Sequence, residues 1–129
     1  MTPDRYIIDV LKTENTKIDE VRKRLNSQVR LLHAMLGINT ENGELQDQLK
    51  KHLFYGKELD RTNLIEELGD LMWYVALALD EIGVSFEEVW KKNISKLATR
   101  YINQEKKVGF SEKNAIERDL ESERKSLER

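Results

Sequence analysis

Apolar residues recur along most of this chain at intervals of three and four, and helix breakers are rare. That pattern predicts an almost wholly α-helical protein. Pro3 fits the first turn of a short helix over about Pro3–Lys12, and Thr13-Glu14-Asn15-Thr16 reads as a break followed by a new cap. A second helical stretch runs from about Lys17 to His52, with an interruption expected near Gly37. At ~100° per residue, Leu31, Met35, Ile38, Leu45, Leu49 and Leu53 share one stripe of it. Phe54–Arg61, around Tyr55-Gly56-Lys57, reads as a loop. Asn63 and Glu66 have the spacing of a capping box that opens a third helix. Leu64, Leu68, Leu71, Met72, Val75, Leu79 and Ile82 line that helix, and Gly83 ends it. Ser85 and Glu88 form a second capping box, for a helix to about Tyr101 with Val89, Trp90, Ile94 and Leu97 on its apolar face. The tail Ser111–Arg129 is densely charged, with sparse Ala115, Ile116, Leu120 and Leu127. It predicts a helix lying on the surface or on a neighbouring chain.

The run Leu71–Leu79 is apolar on every side, and such a helix is buried on every side. One small bundle leaves part of it wet, so a second subunit is expected and the chain reads as a homo-oligomer, dimer or tetramer. The length, 129 residues, suits one all-α domain with a core over about 17–101 and a helical tail over about 111–129. The 22 basic and 24 acidic residues leave a net charge of -2, which argues against a dedicated binder of duplex DNA or of anionic membranes. No apolar run is long enough to span a bilayer, and Met1–Val10 carries Asp4, Arg5 and Asp9, unlike a signal peptide. A soluble cytoplasmic protein is expected. Cysteine is absent, which removes thiolate metal sites and thiol nucleophiles from consideration.

Candidate chemistry lies in two carboxylate pairs. Glu41 and Glu44 are three residues apart on the second helix, and Glu67 and Asp70 are three apart on the third. Residues at i and i+3 share a helix face, and each pair flanks its apolar stripe. Packing the stripes together brings four carboxylates to the edge of the core. Any two carboxylates at ~6 Å repel by roughly 3 kcal/mol at an effective dielectric of 20, so some must be protonated or share a cation. Oxygen ligands without His or Cys favour Mg²⁺, with Mn²⁺ as substitute, over zinc. Such ions keep open positions for substrate phosphates. Asn93, Lys96 and Arg100 fall at i, i+3 and i+7 on one face of the fourth helix, suited either to a polyphosphate or to plain solvent.

These residues sit in longer recognisable blocks. His33-Ala34-Met35-Leu36-Gly37-Ile38-Asn39-Thr40-Glu41-Asn42-Gly43-Glu44-Leu45 and Glu66-Glu67-Leu68-Gly69-Asp70-Leu71 resemble the MazG-like family of all-α nucleoside triphosphate pyrophosphohydrolases. Asn93-Ile94-Ser95-Lys96-Leu97, ending in Arg100-Tyr101, resembles its next block, so the likeness covers about Leu31 to Tyr101. The resemblance implies a four-helix core, often completed by dimerisation, and hydrolysis of a nucleoside triphosphate to a monophosphate and pyrophosphate. By it, Glu41, Glu44, Glu67 and Asp70 hold Mg²⁺, Lys96 and Arg100 hold phosphates, and Asn93 contacts the nucleotide or orders the site. Many relatives carry one more Glu where this chain has Thr40, which leaves Glu41 or a metal-bound hydroxide to activate the water. The stretch Ile102–Val108 is longer and more basic than the usual turn.

Other residues carry two readings each. His33 shares the face of Glu41 and Glu44 and is either a substrate contact or a packed or capping histidine. Trp73, Tyr74 and Trp90 are either core and interface residues or stacking surfaces for a base. Lys50, Lys51, Lys57 and Arg61 make a basic loop that attracts triphosphate or is merely solvated. Gly37, Gly43 and Gly69 cost about 1 kcal/mol each inside helices, repaid by close packing or by access to a site. Neither His33 nor His52 lies three residues after a Glu, which argues against a ferritin-like di-metal centre. Two competitors remain: a relative of the same fold specific for dUTP or dCTP, and a non-catalytic helical interaction module, for which Mg²⁺ has no effect on stability.

Overall fold

The computed structural model describes residues 2–103 and 105–128. They form an all-α chain of seven helices: α1 (Pro3–Leu11), α2 (Ile18–Asn26), α3 (Val29–Tyr55), α4 (Arg61–Glu81), α5 (Phe86–Arg100), α6 (Glu112–Ile116) and α7 (Leu120–Glu128). The only extended pairing among the described residues is an isolated antiparallel bridge between Ile102 and Val108. Its turn is closed by Asn103, whose Oδ1 accepts from Glu105 N (3.0 Å) and Lys107 N (2.9 Å).

The expected Lys17–His52 stretch is two helices, and it breaks ten residues before Gly37. Ser27 donates its hydroxyl to the Arg24 carbonyl at 2.8 Å, a side-chain bond that competes with the helical ladder. Gln28 then adopts a non-helical conformation before α3 starts. α3 runs unbroken through Gly37 and Gly43 and continues to Tyr55, three residues past His52. It stops at Gly56, whose φ of 66° is a left-handed conformation that glycine adopts without a Cβ penalty. At the start of α4 the expected cap is corrected too. Asp60, not Asn63, is the N-cap, and its carboxylate accepts from Asn63 N at 3.0 Å. Asn63 is thereby released for another partner. Ser85 caps α5 as expected, accepting from Glu88 N at 3.1 Å. The tail is divided by residues 117–119 into α6 and α7 rather than forming one helix.

Tertiary packing is concentrated in two pairs, α3 against α4 and α5 against α7. Arg30 at the start of α3 clamps the end of α4, with Nη1 at 2.6 Å from Asp80 and 3.3 Å from Glu81. The most buried apolar residues are small or few, Ala34, Ala78 and Leu79, and among the described residues no large side chain is fully buried. The expectation that Leu71–Leu79 is buried on every side is corrected for the chain alone. Met72 and Trp73 are exposed, because α3 covers only one face of α4.

Gly37 shows why α3 and α4 approach closely. A Cβ there would overlap the Tyr74 ring, whereas a Cβ at Gly43 or Gly69 meets nothing. Gly37→Ala gains about 1 kcal/mol of helix propensity but loses roughly 1–3 kcal/mol to overpacking. A net fall in melting temperature is expected, against a rise for Gly43→Ala. Paired thermal melts check this, and equal shifts for both variants would remove the packing role of Gly37.

Candidate functional site

The antiparallel approach of α3 and α4 sets Glu41 opposite Glu67 and Asp70. Each of the three offers one carboxylate oxygen, and these oxygens lie within 4.8 Å of one another. Glu67 is the most enclosed, at 6% exposure. It accepts a hydrogen bond from Asn63 Nδ2 at 2.8 Å, one helical turn earlier. Asn63 reaches it because Asp60 has taken over the cap. The i, i+4 spacing of Asn63 and Glu67 is the signal in the sequence that could have found this contact. Asn63 Oδ1 is buried and accepts no hydrogen bond among the described residues.

The cluster is electrostatically uneasy when bare. Burial pushes the Glu41 carboxyl above its usual value, and the negative charges of Glu44 and Asp70 and a hydrogen bond shared with Glu67 push it further. The Thr40 hydroxyl, 3.3 Å from Glu41 Oε1, works the other way. Thr40 Oγ1 also lies 2.9 Å from the Gly37 carbonyl, so its single proton is shared between that helical acceptor and Glu41. Glu44 is exposed and stands outside the trio, although its charge reaches Glu41.

This donor set fits a hard divalent cation. It consists of anionic oxygens, one nearly enclosed, with no nitrogen or sulfur ligand among them. A shared positive charge would relieve the repulsion that raises Glu41. Beside the trio is an open pocket of about 310 Å³ lined by Glu41, Asp70, Trp73 and Tyr74. Tyr74 sits over Gly37, and the exposed His33 ring stands edge-on to it, centroids 5.6 Å apart. His33 does not line the pocket.

Nor do Asn93, Lys96 and Arg100. Their helix, α5, packs on α7. Asn93 is exposed and Lys96 half-buried. Arg100 makes a bidentate pair with Glu123 of α7, Nε to Oε1 at 2.8 Å and Nη2 to Oε2 at 2.7 Å. Arg118 grips the same carboxylate, with Nη2 at 2.6 Å from Oε2. Glu123 is only 3% exposed, and the two guanidinium groups hold its carboxyl far below the usual range. Sequence reasoning missed this partner of Arg100. The two are 23 residues apart, and no local spacing links them.

An all-α hairpin brings three convergent carboxylates together beside an open pocket, a donor set that could hold a metal ion. The chain belongs to the family of the MazG nucleotide pyrophosphohydrolase domain, which matches residues 30–104, more than half of its length. It is also similar to the Gene 37 protein of Mycobacterium phage L5, 34% identical over 77 residues. That match covers 54% of this chain, and the chain spans 65% of the length of the phage relative. No solved structure matches the chain. Among the described residues, no helix is long and apolar enough to cross a membrane.

Proposed function

We propose that this chain is a Mg²⁺-dependent hydrolase that converts nucleoside or deoxynucleoside triphosphates to monophosphate and pyrophosphate, as cytoplasmic house-cleaning of the nucleotide pool. The observation that carries the reading is the meeting of Glu41, Glu67 and Asp70 oxygens across two helices of a nucleotide pyrophosphohydrolase domain. These three carboxylates would hold the ion, Mg²⁺ or Mn²⁺, with Glu44 one turn along as the fourth. When bound, the cation supplies charge neutralisation on the phosphate oxygens. In the reaction a water oxygen bonds to the α-phosphorus and the bond to the α–β bridging oxygen breaks. Pyrophosphate leaves with that electron pair. Glu41 is the candidate acceptor of the water's proton, its carboxylate lying in the trio and lining the pocket, with a metal-bound hydroxide as the alternative. Lys96 and Arg100 would steady the phosphates and Asn93 the nucleotide.

A homo-oligomer belongs to the same reading. Ile65, Leu68 and Met72 of α4 and Leu32, Met35 and Leu36 of α3 are large, apolar and exposed in one chain. A second copy would cover them.

Pyrophosphate release from a panel of ribo- and deoxynucleoside triphosphates, with Mg²⁺, Mn²⁺ or chelator, tests the proposal. Metal-dependent release of pyrophosphate and monophosphate is expected, together with a melting midpoint that rises in millimolar Mg²⁺. No release from any nucleotide and no shift with Mg²⁺ would leave the helical interaction module as the better account.

A further inference from the structure

Trp73 has a large indole ring, 58% exposed, on the rim of the carboxylate pocket. Its setting differs from that of the apolar patch on the same helix. At ~100° per residue, Ile65, Leu68 and Met72 share one flank of α4, while Trp73 lies on the flank of Asp70. Its neighbours one and two turns away are Glu66, Gly69, Asp70, Ala76, Leu77 and Asp80, of which only the half-buried Leu77 is a large apolar side chain. The exposed indole therefore stands apart from the stripe of Ile65, Leu68 and Met72. It is also braced. Its ring meets Tyr74 perpendicularly at 5.0 Å, and Tyr74 is seated over Gly37 and met edge-on by His33. Trp90, the other tryptophan, stacks at 5.4 Å on Phe86 of α5 and does not line the pocket.

We infer that Trp73 is the nucleobase platform of the site, a specificity-determining residue that stacks on the base while the triphosphate lies along the carboxylates. This deepens the proposed hydrolase reading and rests on it. Asp70 and Trp73 are one helical turn apart on the wall of one pocket, so a ligand with an anionic end and an aromatic end can engage both. Stacking tolerates every base, because each has a π-face, and purines with their larger face gain more than pyrimidines. The indole therefore selects nucleotides over bare polyphosphates and favours purines.

The test uses the full chain carrying Trp90→Phe, which leaves Trp73 as the sole indole reporter. Non-hydrolysable α,β-linked analogues of dATP and dCTP, each with Mg²⁺, should quench its fluorescence, and inorganic tripolyphosphate should not. Trp73→Ala should raise KM for dATP by roughly 5- to 100-fold, with kcat within about twofold and a smaller increase for dCTP. Trp73→Phe should recover most of the loss. An unchanged KM in Trp73→Ala, or equal quenching by tripolyphosphate, overturns the platform while leaving hydrolysis intact. Dissociation of an oligomer by Trp73→Ala with unaltered KM likewise overturns it, placing the ring at an interface. A wild-type chain that neither binds nor cleaves any nucleotide overturns both this inference and the reading beneath it.

Discussion

Asp70→Ala should lower nucleotide hydrolysis by about a thousandfold or more while the chain remains folded. Removing a cation ligand withdraws charge stabilisation worth several kcal/mol at the phosphates, and about 4 kcal/mol corresponds to three decades in rate. Asp70 is exposed, so truncation leaves no cavity in the packed hairpin. Its charge raises the proton affinity of Glu41, and losing it relieves that repulsion. Without metal, the variant should therefore melt at the wild-type temperature or above. The stabilisation that wild type gains from millimolar Mg²⁺ should shrink or vanish. Pyrophosphate release and melting curves with Mg²⁺ and with chelator measure both effects. If Asp70→Ala fails to fold, the carboxylate is structural and the cation site is lost from the account.

Much of this site was legible because its parts are local. Glu41 sits three residues before Glu44, and Glu67 three before Asp70. The stripes that flank them also predict which helix faces meet. The all-α fold followed from the same periodicity. What stayed hidden depends on competition between near-equivalent neighbours or on distant parts of the chain. Asp60 and Asn63 are both good caps, and only the folded chain shows that Asp60 wins and Asn63 turns to Glu67. Ser27 looks unremarkable until its hydroxyl takes the Arg24 carbonyl and splits one helix into two. Gly37, Gly43 and Gly69 read alike as letters, yet only Gly37 faces an aromatic ring. The apolar run Leu71–Leu79 carried a correct statement about hydrophobicity, but one chain has too little surface to enclose it.

Glu123 should prove the key to the docking of the tail. Its carboxylate is almost fully enclosed and takes charge-assisted bonds from both Arg100 and Arg118. Glu123→Ala leaves the Arg100 guanidinium, itself only 15% exposed, without its counter-charge, and breaking such a pair costs more than never having formed it. Glu123→Gln keeps the shape but removes the charge, so it separates electrostatics from packing. In both variants, amide exchange across Leu120–Glu128 and the end of α5 should accelerate by on the order of tenfold or more at neutral pH. Acid should reproduce the effect in wild type. The folded carboxyl titrates well below its unfolded value of 4.5, so its contribution is complete above that value and declines as pH falls towards the folded one. After correction for intrinsic exchange rates, wild-type protection of α7 should fall between pH 5 and pH 3, and the two variants should lack that pH-dependent component. The α3–α4 pair has no share in this carboxylate and should keep its protection in Glu123→Ala at neutral pH, which distinguishes release of the tail from global unfolding. Unchanged exchange in α7 would mean that Lys92, whose Nζ donates to the Leu127 carbonyl, and the apolar contacts hold the tail without the arginine pair.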